Sequence, residues 1–137
     1  MEYERTFAIS SSAMTLERTR VEIAALNLAN ANTVAGPDGT VYQPRRVVAT
    51  TAFSDAVTQG LAAPTMSLEV AQQAPRMVYE PGHPLANATG FVAYASVDTA
   101  TEMVTLMSAM RSYEANVAAM NTSRNLALKA LEIGGNQ

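Results

Sequence analysis

The side chains best suited to chemistry are few. One histidine, His83, sits in Pro81-Gly82-His83-Pro84 with Glu80 three residues before it. An imidazole and one carboxylate do not make a zinc site, and no second His and no Cys exist to complete one. For Ser/His/Asp hydrolysis the same imidazole is the sole available base, and no Gly-x-Ser-x-Gly elbow presents a nucleophile. Ser10-Ser11-Ser12 reads instead as a helix surface or a frayed start. The run Gly36-Pro37-Asp38-Gly39 is short and stiffened by proline, and no Gly-Lys-Ser/Thr follows it, so it is no phosphate loop. Glu17, Glu22, Glu102, Glu114 and Glu132 are spread along helical stretches and read as solvated charge. His83 is best explained by turn geometry, and the sequence points to no enzyme, no metal, no cofactor and no small-molecule substrate.

Charge narrows the partners further. Nine basic and twelve acidic residues leave a net charge of −3, and Arg45-Arg46 is a doublet rather than a patch, so nucleic acid is not an expected partner. No window approaches 18 consecutive apolar residues, and the polar first six residues do not form a secretory signal. On these criteria alone the chain reads as cytoplasmic. The absence of Cys excludes disulfides.

Proline and glycine show how the chain is divided. All six Pro and five of the seven Gly lie between residues 31 and 97 of the 137, and the flanks carry neither until Gly134. This predicts a single, mainly α domain with a small β-rich insert: an N-terminal helix over 4–31, a turn-rich insert over 32–97 and a C-terminal helix over 98–133. The two helices are expected to pair as an antiparallel coiled-coil hairpin.

Both arms carry seven-residue repeats. On the C-terminal arm, with Met103 at position a, that series reads Met103, Met110, Val117, Arg124, Leu131, and the d series reads Leu106, Tyr113, Met120, Ala127. The N-terminal arm offers Phe7, Met14, Val21 and Leu28 as its matching stripe. These stripes are expected to form the intramolecular seam, with Arg124 snorkelling or ion-pairing to set register. Each arm has a second stripe, about 200° around the helix: Ile9, Leu16 and Ile23 on one, Ala119, Leu126 and Ile133 on the other. The insert carries too many turns to cover both helices, so neighbouring subunits are the expected surface for these faces.

At the arm ends, Asp98 stands at an N-cap position, with Thr99-Ala100-Thr101-Glu102 matching a capping box, and Gly134-Gly135 marks the stop. Asn27 and Asn30 share one face of the first helix. They, with Asn32, read as ordinary C-terminal caps, Asn30 or Asn32 taking a left-handed conformation, or as buried amides that fix register against a partner helix. Within the insert, Val41-Tyr42 and Arg46–Thr51 follow a Gly-Pro-Asp-Gly turn. Ser54–Thr65 reads as a loop or hairpin tip. Ser67–Ala71 and Arg76–Tyr79 are expected to pair around Gln72-Gln73, and Phe91–Tyr94 is a last short strand.

Several ordered motifs together are more specific than any periodicity. Asn27-Leu-Ala-Asn-Ala-Asn-Thr33, Gly36-Pro-Asp-Gly39, Val78-Tyr-Glu-Pro-Gly-His-Pro84, Gly90-Phe-Val-Ala-Tyr94, Tyr113-Glu-Ala-Asn-Val117, Asn121 and Ala127-Leu-Lys-Ala-Leu131 resemble the flagellar basal-body rod family. The resemblance runs from about Phe7 to Leu131; Val41–Arg46 departs from the family pattern, and residues 52–74 match poorly. It implies a structural subunit that stacks helically into the periplasm-spanning drive shaft, exported without a cleaved signal, which revises the cytoplasmic reading. It also implies the partners: further copies and other rod proteins, the basal-body membrane ring and its adaptor, and the flagellar type III export apparatus. Assembly positions implied by the resemblance are Asn27, Asn30, Asn32, Thr33, Tyr113, Glu114, Asn116, Asn121 and Leu131. The short insert favours the proximal rod over a distal-rod or hook member. A cytoplasmic helical adaptor or oligomer is the alternative from another class.

Overall fold

The computed structural model describes residues 2–50 and 65–135, with side chains from residue 7 onward. The expected loop or hairpin tip at 54–64 lies outside the described residues. In chain order the elements are α1 (Glu2–Ala29), β1 (Arg45–Thr50), β2 (Thr65–Val70), β3 (Arg76–Tyr79), β4 (Phe91–Tyr94) and α2 (Thr99–Gly134). The architecture is mainly helical with small antiparallel hairpins between the helices. At 1.5 Å per residue the 28 residues of α1 run about 42 Å and the 36 of α2 about 54 Å.

The helices begin and end as local chemistry dictates. Asp98 has extended backbone, φ −82° and ψ 98°, and its side chain accepts from Ala100 N and Thr101 N. Thr101 Oγ1 donates to Asp98 Oδ2 at 2.6 Å, so the hydroxyl at the third helical position closes the cap rather than the expected Glu102 carboxylate. At the far end the Gly135 N–H donates to Leu131 O. The end of α1 differs from expectation. Among the described residues no non-glycine has positive φ, so neither Asn30 nor Asn32 takes a left-handed cap. Instead the helix tightens through Asn30 N to Asn27 O and Ala31 N to Leu28 O, while Asn30 Nδ2 donates to Leu26 O at 2.9 Å.

Strand pairing also departs from the expectation, although the strands lie close to where it puts them. β1 pairs with β2, Arg45 opposite Val70 through Thr50 opposite Thr65, and β3 pairs with β4, Arg76 opposite Tyr94 through Tyr79 opposite Phe91. β2 therefore does not fold onto β3 around Gln72-Gln73. Gln43 instead holds that connection, its Nε2 donating to Gln73 O at 3.3 Å and its Oε1 accepting from Gln73 N at 3.0 Å.

The β3–β4 hairpin is tied to the helix junction. Ala35 N donates to Ala93 O and Ala95 N to Thr33 O, so the chain leaving α1 lies along β4 like a short third strand. That contact brings the end of α1 to the start of α2 and makes the helices antiparallel. Val92 and Ala95, both fully buried, sit in this junction.

Candidate functional site

The contact between the helices uses mainly small side chains. On α1 and its exit the buried positions Ser10, Glu17, Ala24 and Ala31 recur every seven residues. On α2 the matching series is Glu102, Ala109, Asn116 and Ser123, with Ala109 fully buried and the others half-buried. Small residues at the line of closest approach let two helix backbones come together and leave larger ones to flank the line. Phe7, Met14, Val21 and Leu28 flank it from α1, and Leu106, Tyr113, Val117, Met120 and Ala127 from α2, all half-buried.

This moves the seam from the expected a/d stripe by one position. Met103 is 58 % exposed, Met110 49 % and Leu131 72 %, and Arg124 is exposed, so the a series on α2 lies mostly outside the intramolecular contact. Arg124 forms no ion pair among the described residues. Glu17, expected to be solvated, is instead buried beside Arg20, whose Nη1 lies 3.4 Å from both carboxylate oxygens. Ser10, Ala24 and Ala31, small residues in the same seven-residue register as Glu17, are the sequence signal that marks this seam.

Among the described residues Asn27 is the one fully buried asparagine. Its Nδ2 donates to Arg45 O at 2.8 Å, and its Oδ1 accepts from Arg45 N at 3.0 Å and from Tyr42 Oη at 2.8 Å. The amide is satisfied, but by the start of β1 and not by a partner helix. Burial holds the Tyr42 hydroxyl above its ordinary pKa. Asn30 is half-buried and accepts from Thr33 Oγ1, Asn116 donates to Ser112 O within its own helix, and Asn32, Thr33, Glu114 and Asn121 are exposed.

The sequence motifs of the insert converge on one hairpin. Asn87 Oδ1 accepts from Thr89 N, Thr89 Oγ1 and Phe91 N and so builds the turn before β4, a role the sequence reading missed. His83 Nδ1 accepts from Leu85 N at 3.1 Å, a turn contact. Tyr79 and Phe91 meet edge to face at 5.3 Å, and Arg76 lies 5.2 Å from the centre of the Tyr94 ring. Tyr94 Oη donates to Glu80 Oε2; desolvation first, and that carboxylate next, hold the phenol above its ordinary pKa.

A groove of about 310 Å³ opens where α1, β1 and the start of α2 meet, lined among others by Arg20, Ile23, Arg45, Arg46, Asp98 and Glu102. Its charges are mixed. Among the described residues no group of three or more His, Asp or Glu side chains is placed to hold a metal ion, and no helix is long and apolar enough to cross a membrane.

What the surface offers instead is apolar area. Ile9, Leu126 and Ile133 of the expected outer stripe are 57 %, 55 % and 76 % exposed, Ala119 is exposed, and Leu16 and Ile23 are half-buried. Val104, Met107, Leu128, Leu68 and Val70 are exposed as well, whereas among the described residues the buried hydrophobic side chains are Ala24, Ala31, Val92, Ala95 and Ala109. Such a chain has most of its large apolar side chains left to bury against something else.

Comparison with known proteins places these features in context. Residues 7–37 match the family described as flagella basal body rod protein, and residues 88–133 match the C-terminal family of the flagellar basal body rod FlgEFG proteins. The chain is 45% identical to flagellar basal-body rod protein FlgC of Escherichia coli O6:H1, over 93% of this chain and 95% of that protein. It is 43% identical to the FlgC protein of Salmonella typhimurium over the same shares, and 33% identical to that of Bacillus subtilis over 92% and 94%.

Proposed function

The chain belongs to the flagellar basal-body rod protein family, and from that premise we propose that it is a proximal-rod subunit whose exposed apolar helix faces are its assembly surfaces. Membership makes it a structural subunit of the basal-body rod. The observation that carries the finer reading is the exposed apolar area of α1 and α2: two long antiparallel helices with mainly small residues, beside Glu17, buried between them. Each such face, covered by a neighbour, contributes about 25 cal/mol per Å² of apolar surface. Met is frequent there, at 103, 107 and 110, and its flexible thioether fits neighbours of different shape.

The proposed partners are further copies, other rod proteins, and the membrane ring with its adaptor at the base. The flagellar type III export apparatus delivers the chain without signal cleavage. The assembled rod stands in the periplasm and transmits motor torque. Favouring the proximal rod is the short insert and the match to FlgC proteins over nearly their full length. No step of this function is catalytic, and His83 has a turn role that accounts for it.

Deleting the gene and imaging basal bodies tests the proposal. Loss of a complete rod and of swimming, both restored by the intact gene, is expected. Complete rods and normal swimming without the gene would refute it.

A further inference from the structure

We propose that Asn27 is a positioning residue that sets the β1–β2 hairpin against the helix pair by standing in for a strand neighbour of Arg45. In an antiparallel ladder the N–H and C=O of alternate residues point to opposite edges. Pro44 O accepts from Ala71 N at 2.9 Å, so the ladder toward β2 is made by the residues flanking Arg45. The N–H and C=O of Arg45 are left for the free edge. Asn27 takes both, with Oδ1 at 3.0 Å from the N–H and Nδ2 at 2.8 Å from the carbonyl oxygen. A carboxamide carries a donor and an acceptor like a peptide unit, which makes this a two-point match.

Tyr42 completes the arrangement. Its hydroxyl donates to Asn27 Oδ1 at 2.8 Å, so the oxygen faces two donors and the amide has one orientation. With Asn27 fully buried, these part-buried bonds are shielded from water on the helix side. Among the described residues no other α1 side chain hydrogen-bonds to the segment 36–50. Swing of the hairpin relative to the helices is therefore opposed by one amide at the last turn of α1, next to the groove lined by Arg45, Arg46 and Asp98. The hairpin's apolar residues Leu68 and Val70 are exposed, and their direction on the subunit follows from this contact. The assignment goes beyond the rod-subunit reading, which stands whether or not Asn27 has this role.

Deuterium exchange of the protein within purified basal bodies tests it. Asn27→Ala and Arg45→Pro, the second removing the N–H that Asn27 receives and fixing φ there, are expected to speed exchange in 43–50 about tenfold, with exchange in α2 unchanged. Arg45→Ala keeps both backbone groups and is expected to match the parent. Tyr42→Phe removes one of the three bonds with little change in packing, and is expected to speed exchange in 43–50 about threefold. If Asn27→Ala or Arg45→Pro fails to accumulate in basal bodies, Tyr42→Phe decides. Parental exchange in that segment, an equal rise in α2, or Arg45→Ala matching Arg45→Pro overturns the proposal.

Discussion

Gly90 has φ +81°, and a Cβ there would stand 2.9 Å from Tyr79 Cε2 and 3.2 Å from Pro81 Cβ, so both conformation and space require glycine. Gly90→Ala is expected to cost about 1–3 kcal/mol locally. It should show as faster proteolytic cleavage within 80–91 with the helices intact. Asp98 gives a pH prediction. The Thr101 hydroxyl, then the Thr101 and Ala100 N–H groups, hold its carboxyl below the ordinary 3.8. A lowered folded-state pKa contributes stability that is present in full above the unfolded value and is lost as pH falls through the folded one. Helicity at the start of α2 is thus expected to decline below about pH 4, and circular dichroism should show a shallower acid limb for Asp98→Asn, which caps without titrating. Only one of these two roles was legible in the sequence. The Asp98 cap was, because it depends on a few adjacent residues. The burial of Glu17 was not, and that of Asn27 was only one of two open readings, because a side chain does not reveal which way its helix faces.

At the scale of elements, the helix pair separates two kinds of position. Ala109 is fully buried where the helices approach, so Ala109→Leu is expected to destabilise the pair itself by about 1–3 kcal/mol through overpacking. Leu131 is 72 % exposed in the single chain, so Leu131→Asp is expected to leave that pair unchanged but to block incorporation into the rod. Circular dichroism of the purified chain and immunoblots of isolated basal bodies check the two outcomes. Loss of folding in Leu131→Asp, or its normal incorporation, would count against the division. The heptad pattern revealed that the helices pair and not which stripe does so. Large apolar residues mark every face that becomes buried, within the chain or between chains, and close packing within the chain uses the small ones.

For the whole molecule, exposed apolar area is the dominant property. Among the described residues the buried apolar set is four Ala and one Val, a modest return against the conformational entropy of ordering two helices of 28 and 36 residues. The isolated chain is therefore expected to be less helical than the chain in the rod, with helicity rising on assembly. Far-ultraviolet circular dichroism of the monomer against hydrogen exchange in basal bodies measures this. A monomer as helical as the full lengths of α1 and α2 would contradict it.

The sequence by itself determined the helix–insert–helix division, the cap at Asp98, the approximate strands and, through its ordered motifs, the family. These follow from local backbone preference and from patterns read along the chain. Only the tertiary structure decided that β2 pairs with β1, that the seam runs through Ser10, Glu17, Ala24 and Ala109, and that Asn27 binds the edge of β1. Each of those depends on residues distant in sequence meeting in space, and many pairings satisfy the same local pattern until backbone hydrogen bonds and close packing select one.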